Sequence, residues 1–211
     1  MIEKIENFCT LYLVRHGETE WNQKEMLQGQ ADSPLTENGK NQVEQTAQEL
    51  KDINFDAIFS SDLHRAQRSA EIIKMERQLA IQTSKLLRER NFGHYEGILR
   101  SEYKKLRDGL LKSLSEKEKK VFKIDYDVES DEEVVSRFIT QLREIAVAYP
   151  NQTVLIVTHG GCIRTFLMHV GFVKDGELPP GSFSNAGYVK VFADGVDFII
   201  KEVKGIKKEN D

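Results

Sequence analysis

Two short β-rich runs, Thr10 to Val14 and Thr153 to Thr158, both lead into a histidine followed by glycine: Arg15-His16-Gly17 after the first, His159-Gly160-Gly161 after the second. Continuous apolar runs of this length read as strands buried on both faces. In an open α/β sheet the carboxyl ends of parallel strands line the ligand crevice, so both imidazoles can converge there. An arginine that favours phosphate stands beside the first of them. A neutral imidazole nitrogen attacks phosphorus without first losing a proton, which suits this set to phosphoryl transfer through a phosphohistidine.

The rest of the chain repeats the alternation that such a sheet requires. Further strands are expected at Ala57 to Ser60, Tyr188 to Ala193 and Phe198 to Val203, separated by helical periods. Thr36 opens a helix with Val43, Ala47 and Leu50 on one face, and Ser130 with Glu133 forms a capping box before Val134, Val135, Phe138, Leu142 and Ile145. Asp194-Gly195 between the last two apolar runs is a hairpin signal. The expectation is an α/β three-layer sandwich, with a mostly parallel sheet and an antiparallel edge. The 211 residues are read as one domain, 1–211, a length that buries roughly 70% of the unfolded surface without disulfides or metals. Residues 98–129 stand apart. They are rich in Lys and Glu, lack a β-rich run, and place Leu99, Tyr103, Leu106, Leu110 and Leu114 at helical spacing. They read as a helical cap inserted beside the site, or as a charged helical excursion that makes no substrate contact.

Composition removes several function classes. The net charge is −4 and the pI is near 5.8, so no nucleic-acid or anionic-membrane partner is expected and any anion site must be local. Two cysteines, Cys9 and Cys162, have no repeated spacing and point to a reducing compartment; Cys162 reads as a small buried filler. The stretch Met1 to Phe8 carries Glu3, Lys4 and Glu6 and lacks the apolar stretch of a secretory signal, so a cytoplasmic protein is expected. No apolar run approaches the ~18 residues of a membrane span. His64, His94 and His169 form no HxH or HExxH pattern, which speaks against zinc. The absence of GxxxxGK[ST] excludes a P-loop hydrolase.

The segment Leu13-Val14-Arg15-His16-Gly17-Glu18-Thr19-Glu20-Trp21-Asn22 resembles the signature of the histidine phosphatase superfamily, which contains the cofactor-dependent phosphoglycerate mutases. Asp32 to Gly39, Ser60 to Ala66, Leu87 to Gly93 and Val157 to Gly161 resemble further blocks of that family, in the same order. The resemblance implies His16 as nucleophile and His159 as charge stabiliser, with Gly160 lending its amide. It also implies that Asn22 and Gln28 contact the phosphate. Arg15 and Arg65 supply planar forks for phosphoryl oxygens, and the charge they offset makes a metal unnecessary; no cofactor is expected. Gly17 would let the backbone pass close to the imidazole and the phosphate. Glu89 is the candidate general acid. Without its block, the tripeptide Arg88-Glu89-Arg90 would read as a surface ion-pair cluster.

Within the family the chain resembles the phosphatases more than the mutases. It has Phe92 where mutases carry tyrosine, Arg100 where they carry lysine, and no Arg-Arg dipeptide, while Phe183 to Tyr188 resembles the Asn-Ala strand entry of the phosphatases. The expected activity is hydrolysis of small phosphomonoesters such as sugar phosphates. A phosphoglycerate mutase and a catalytically silent phospho-ligand binder are the alternatives.

Overall fold

The computed structural model describes residues 7–75, 77–174 and 177–206. The charged amino-terminal stretch lies outside them up to residue 6. Strands β1 (Cys9–Arg15), β2 (Ala57–Ser61), β3 (Ile81–Ser84), β4 (Thr153–Thr158), β5 (Phe183–Ala193) and β6 (Phe198–Ile206) form one sheet in the order β3-β2-β4-β1-β5-β6. β3, β2, β4 and β1 are parallel neighbours, whereas β5 and β6 add an antiparallel edge. Helices α1 (Glu20–Gln23), α2 (Glu37–Glu49), α3 (His64–Lys74), α4 (Arg100–Leu111), α5 (Glu116–Val121), α6 (Asp131–Ala148) and α7 (Gly160–His169), with 3₁₀ turns at Lys85–Leu87 and Gly93–Tyr95, complete the described elements.

Each central strand is buried on both faces because helices cover both. Leu11 and Leu13 of β1 pack with Val154 and Ile156 of β4 under Phe138 and Leu142 of α6 and Phe166 of α7. The alternate residues Tyr12, Val14, Leu155 and Val157 pack with Val43 and Ala47 of α2 and with Ala66, Ala70 and Ile73 of α3. Each such aliphatic side chain contributes about 1.5–3 kcal/mol by leaving water. The expected capping box of Ser130 and Glu133 starts α6, and Thr36 caps α2 through the Gly39 amide.

Three features depart from the sequence reading. β3 carries no hydrophobic run, since Gln82 and Thr83 are exposed on an edge strand held only by β2. β5 begins at Phe183, five residues before the run that marks it, because Ser184 to Gly187 form an irregular stretch with a positive φ of 55° at Ala186. The stripe expected over 98–129 is not one buried face: Tyr103 is buried, but Leu99, Leu106 and Leu110 are exposed. The helix also stops at Leu111, and Ser115 caps a separate one.

Candidate active site

The pairing of β1 with β4 sets the site. Arg15 lies opposite Thr158 in parallel register, so the next residues, His16 and His159, leave adjacent strands at the same level. The His16 amide donates to the Thr158 carbonyl at 3.0 Å. The two imidazole centroids are 5.1 Å apart with their planes at 60°. His16 Nδ1 lies 2.7 Å from the Gly17 carbonyl oxygen. A carbonyl only accepts, so Nδ1 carries the proton and the lone pair is left on Nε2. Burial, reinforced by the cationic Arg65 and Arg15, holds the His16 pKa well below the usual range. Burial does the same to His159, aided by Arg65 and by His16 itself. Both rings are therefore neutral at pH 7.

Arg15 and Arg65 are buried beside them. Arg15 Nη1 donates to the Phe183 carbonyl; burial and the neighbouring cations Arg100 and Arg65 lower its pKa to about 10, so it stays charged. Gly160 makes room for it, since a Cβ there would lie 3.0 Å from Arg15 Nε. Arg65 turns inward from the first turn of α3, donating to the Gly29 carbonyl at 2.6 Å, to the Ala31 carbonyl at 2.8 Å and to Asp32 at 3.1 Å. Nε of both arginines and both ring nitrogens of His159 are buried without a partner. Among the described residues one other buried side-chain polar atom shares that state, Asp127 Oδ1. Such orphans are rare and costly in folded proteins, so four in one place require an explanation.

Glu89 joins the same cavity from the loop after β3. Its Oε1 accepts the Arg90 amide at 2.7 Å and its Oε2 the Gly161 amide at 2.9 Å. Its flanking arginines turn elsewhere: Arg88 grips Asp62 through two 2.7 Å bonds, and Arg90 pairs with Asp131. The Arg-Glu-Arg tripeptide is thus not an internal ion-pair cluster. Asn22 and Gln28 line the cavity as well, though partly engaged: Asn22 Oδ1 accepts from Asn185 at 3.0 Å and Gln28 Nε2 donates to Ser33 at 3.1 Å.

Several contributors escaped the sequence reading. Arg137 of α6 donates to the carbonyls of Leu86, Arg88 and Glu89 at 3.0, 2.6 and 3.0 Å, and its fork is closed by Glu129 at 2.8 and 2.9 Å. It clamps the backbone that carries Glu89. Burial alone would depress its pKa, but Glu129 outweighs this and raises it. Asn185 donates to the His16 carbonyl at 3.2 Å, as does the Ala186 amide at 3.2 Å, which anchors the loop below the ring. Arg100, Lys104 and Arg107 of α4 border the cavity, whose volume is about 240 Å³. The sequence marked Arg100 as standing where the family's mutases carry lysine, whereas Lys104 and Arg107 had only the signal of a charged helix, which is ordinary.

Packing bears on two further expectations. Gly17, whose carbonyl oxygen lies beside the His16 ring, is also required by packing: a Cβ would lie 2.4 Å from the Gly39 carbonyl oxygen and 2.7 Å from Val43 of α2. Tertiary structure also gathers His94 with Asp125 and Asp127, whose ligand-type atoms lie within 4.8 Å of one another. No sequence motif marks that group because its members meet across the turn at Gly93. Cys9 and Cys162 are both buried, and burial pushes both thiols up to about 12.

Comparison with known proteins agrees with this architecture. Residues 11–204 match the family model of the histidine phosphatase superfamily (branch 1). A Bacillus subtilis protein named uncharacterized phosphatase PhoE is 36% identical over 159 residues, 75% of each chain. The Arabidopsis thaliana phosphoglycerate mutase-like protein 4 is 34% identical over 165 residues, 75% of this chain and 70% of the relative. The solved structure of Bacillus stearothermophilus YhfR superposes with a TM-score of 0.81 at 29% identity, over 94% of this chain and 97% of that one. With two histidines set side by side at parallel strand ends and a family model spanning nearly the whole chain, the protein belongs to the histidine phosphatase superfamily.

Proposed function

We propose that the protein hydrolyses phosphomonoesters of small metabolites, sugar phosphates among them, through a phosphohistidine on His16. One observation carries this reading: Arg15, His16 and Arg65 line a single cavity, and Nε of both arginines and both ring nitrogens of His159, whose ring centroid is 5.1 Å from that of His16, have no partner. A phosphoryl group supplies the acceptor oxygens that would satisfy them. In the reading, His16 Nε2 attacks phosphorus and the bond to the ester oxygen breaks. Arg15, Arg65, Asn22, Gln28 and the Gly160 amide bind the equatorial oxygens, and charge growing there is stabilised by the guanidinium groups and His159. Glu89 delivers a proton to the departing oxygen. It then takes one from the water that attacks phosphohistidine, releasing phosphate and neutral His16.

The cations already present make a divalent metal unnecessary for this chemistry. In this role the enzyme works in the cytoplasm, where its two thiols stay reduced, with residues 98–129 as a cap over the site. Acid quench with labelled substrate should trap an acid-labile, alkali-stable adduct, in EDTA as well as without it. An adduct that persists in His16→Ala would place the nucleophile elsewhere.

The Arabidopsis relative's name supports a second reading, transfer of phosphate back to a substrate as in a phosphoglycerate mutase. Phe92 and the lack of an Arg-Arg pair weigh against it. Release of inorganic phosphate should therefore outpace isomerisation of 3-phosphoglycerate assayed with 2,3-bisphosphoglycerate on one preparation. The opposite ratio would replace hydrolysis with mutation.

A further inference from the structure

Arg65 is aimed largely by main-chain carbonyls. Three of its N–H bonds go to the Gly29 carbonyl, the Ala31 carbonyl and Asp32. A guanidinium has five, so Nε, which is buried without a partner, and one Nη proton are left as a fork for a phosphoryl group. The direction of that fork therefore depends on the segment Gly29 to Ala31, which belongs to no helix or strand.

A segment without regular structure has to be held from outside, and Glu96 holds this one with both carboxylate oxygens. It follows the 3₁₀ turn Gly93–Tyr95 in extended backbone. Oε1 accepts the Gln30 amide at 2.8 Å and the Phe92 amide at 3.1 Å, and Oε2 accepts the Ala31 amide at 2.7 Å. The Gln30 amide and the Gly29 carbonyl are two ends of one peptide unit. Its N–H meets Glu96 while its C=O receives Arg65 Nη2 at 2.6 Å, so the carboxylate polarises that carbonyl toward the guanidinium. Gly29 leaves the necessary room, since a Cβ there would lie 2.1 Å from Glu96 Oε1. The segment also touches the loop that carries Glu89, where Gln30 Nε2 donates to the Glu89 carbonyl at 3.3 Å and Arg88 donates to Gln30 Oε1 at 3.2 Å. Glu96 itself does not border the catalytic cavity. Whatever it does for a ligand must pass through these bonds.

Resting on the phosphatase reading, we infer that Glu96 is a positioning residue for Arg65, whose two carbonyl acceptors it fixes and whose grip on the phosphoryl group it thereby sets. A neutral side chain of the same shape cannot replace it. The carboxamide of glutamine offers one oxygen to three amides, and its NH₂ would face a donor. The bond from the Phe92 amide opens a competing route through the loop that carries Glu89, and that route predicts a dependence on the leaving group which the Arg65 route does not.

Proton–nitrogen NMR of the wild type and Glu96→Gln tests the role without turnover. The Arg65 Nη protons, assigned by their loss in Arg65→Lys, should give separate signals in the wild type and should broaden or merge in Glu96→Gln. Titration with inorganic phosphate should show binding on the order of 10-fold weaker in Glu96→Gln, and Glu96→Asp, which keeps the charge, should recover part of the loss. In the Arg65→Lys background the same Glu96→Gln change should cost less than about 2-fold, because the group it positions is gone. Unchanged Nη signals, or an equal cost in both backgrounds, would overturn the assignment. So would a loss of burst rate confined to alkyl phosphates and absent with p-nitrophenyl phosphate, which would move the role to Glu89. If inorganic phosphate fails to bind the wild type, the phosphatase reading falls, and the Nη signals still decide the role of Glu96.

Discussion

Glu89 depends on a residue seventy-two positions away. A Cβ on Gly161 would lie 2.2 Å from Glu89 Oε1, so Gly161→Ala should displace the carboxylate while keeping it in the chain. If Glu89 protonates the leaving oxygen, its replacement by Gln should slow phosphoenzyme formation from alkyl phosphates on the order of 10²- to 10⁴-fold. Nitrophenolate leaves without that proton, so the burst from p-nitrophenyl phosphate should be much less impaired. Gly161→Ala should show the same dependence on leaving group in rapid-quench burst rates. Equal losses for both ester types would remove Glu89 from the acid role. The sequence marked Glu89 and Gly161 through the resemblance of two separate blocks, but not the contact between them, which joins a loop to the start of α7.

At the scale of elements, the loop that carries Glu89 has no regular structure of its own beyond two 3₁₀ turns, at Lys85–Leu87 and Gly93–Tyr95, and is held from α6. Arg137 supplies three bonds to its carbonyls, and Glu129 fixes Arg137 in turn while accepting the Asn91 amide at 2.8 Å. Arg137→Met should cost about 1.5–3 kcal/mol, measured by urea unfolding, since charge-assisted bonds to backbone are lost and Glu129 is left without its partner. It should also lower kcat on alkyl phosphates more than on p-nitrophenyl phosphate, because the loop that aims Glu89 loosens. Stability loss with an unchanged ratio of the two activities would make Arg137 structural alone. A lone arginine on an amphipathic helix gives no sequence sign of this, because its partners are main-chain carbonyls, which any residue carries.

Across the whole molecule, two histidines are buried in neutral form at the carboxyl end of the sheet, where His16 is 3% and His159 0% exposed. Both pKa values are depressed by burial, then by neighbouring charges. Below the unfolded value near 6.5 the unfolded chain binds protons that the native protein does not, so stability rises with pH and falls as pH drops. The loss should begin near pH 6.5 and continue down toward the folded values, at about 1.4 kcal/mol per pH unit for each histidine. Urea unfolding at steps between pH 7.5 and 5 should show this slope, and the His16→Gln/His159→Gln double variant should lack it. A flat profile in the wild type would mean that the two rings accept protons in the folded state.

What the sequence by itself determined is what local pattern encodes. Buried strands announce themselves as continuous apolar runs, α6 by its capping box, and the positions of His16 and His159 by strand ends followed by glycine. β3 remained hidden because an edge strand needs only backbone pairing, and Gln82 and Thr83 carry no apolar signal. Only tertiary structure decided that Arg65 turns inward onto the Gly29 and Ala31 carbonyls, that Gly17 yields space to α2, and that Arg137 clamps the loop that carries Glu89. It also decided that Lys104 and Arg107 of α4 border the same cavity as His16 and Glu89. These outcomes depend on atoms brought together from distant parts of the chain, many of them backbone carbonyls. Residue type and spacing carry no record of such contacts; packing creates them.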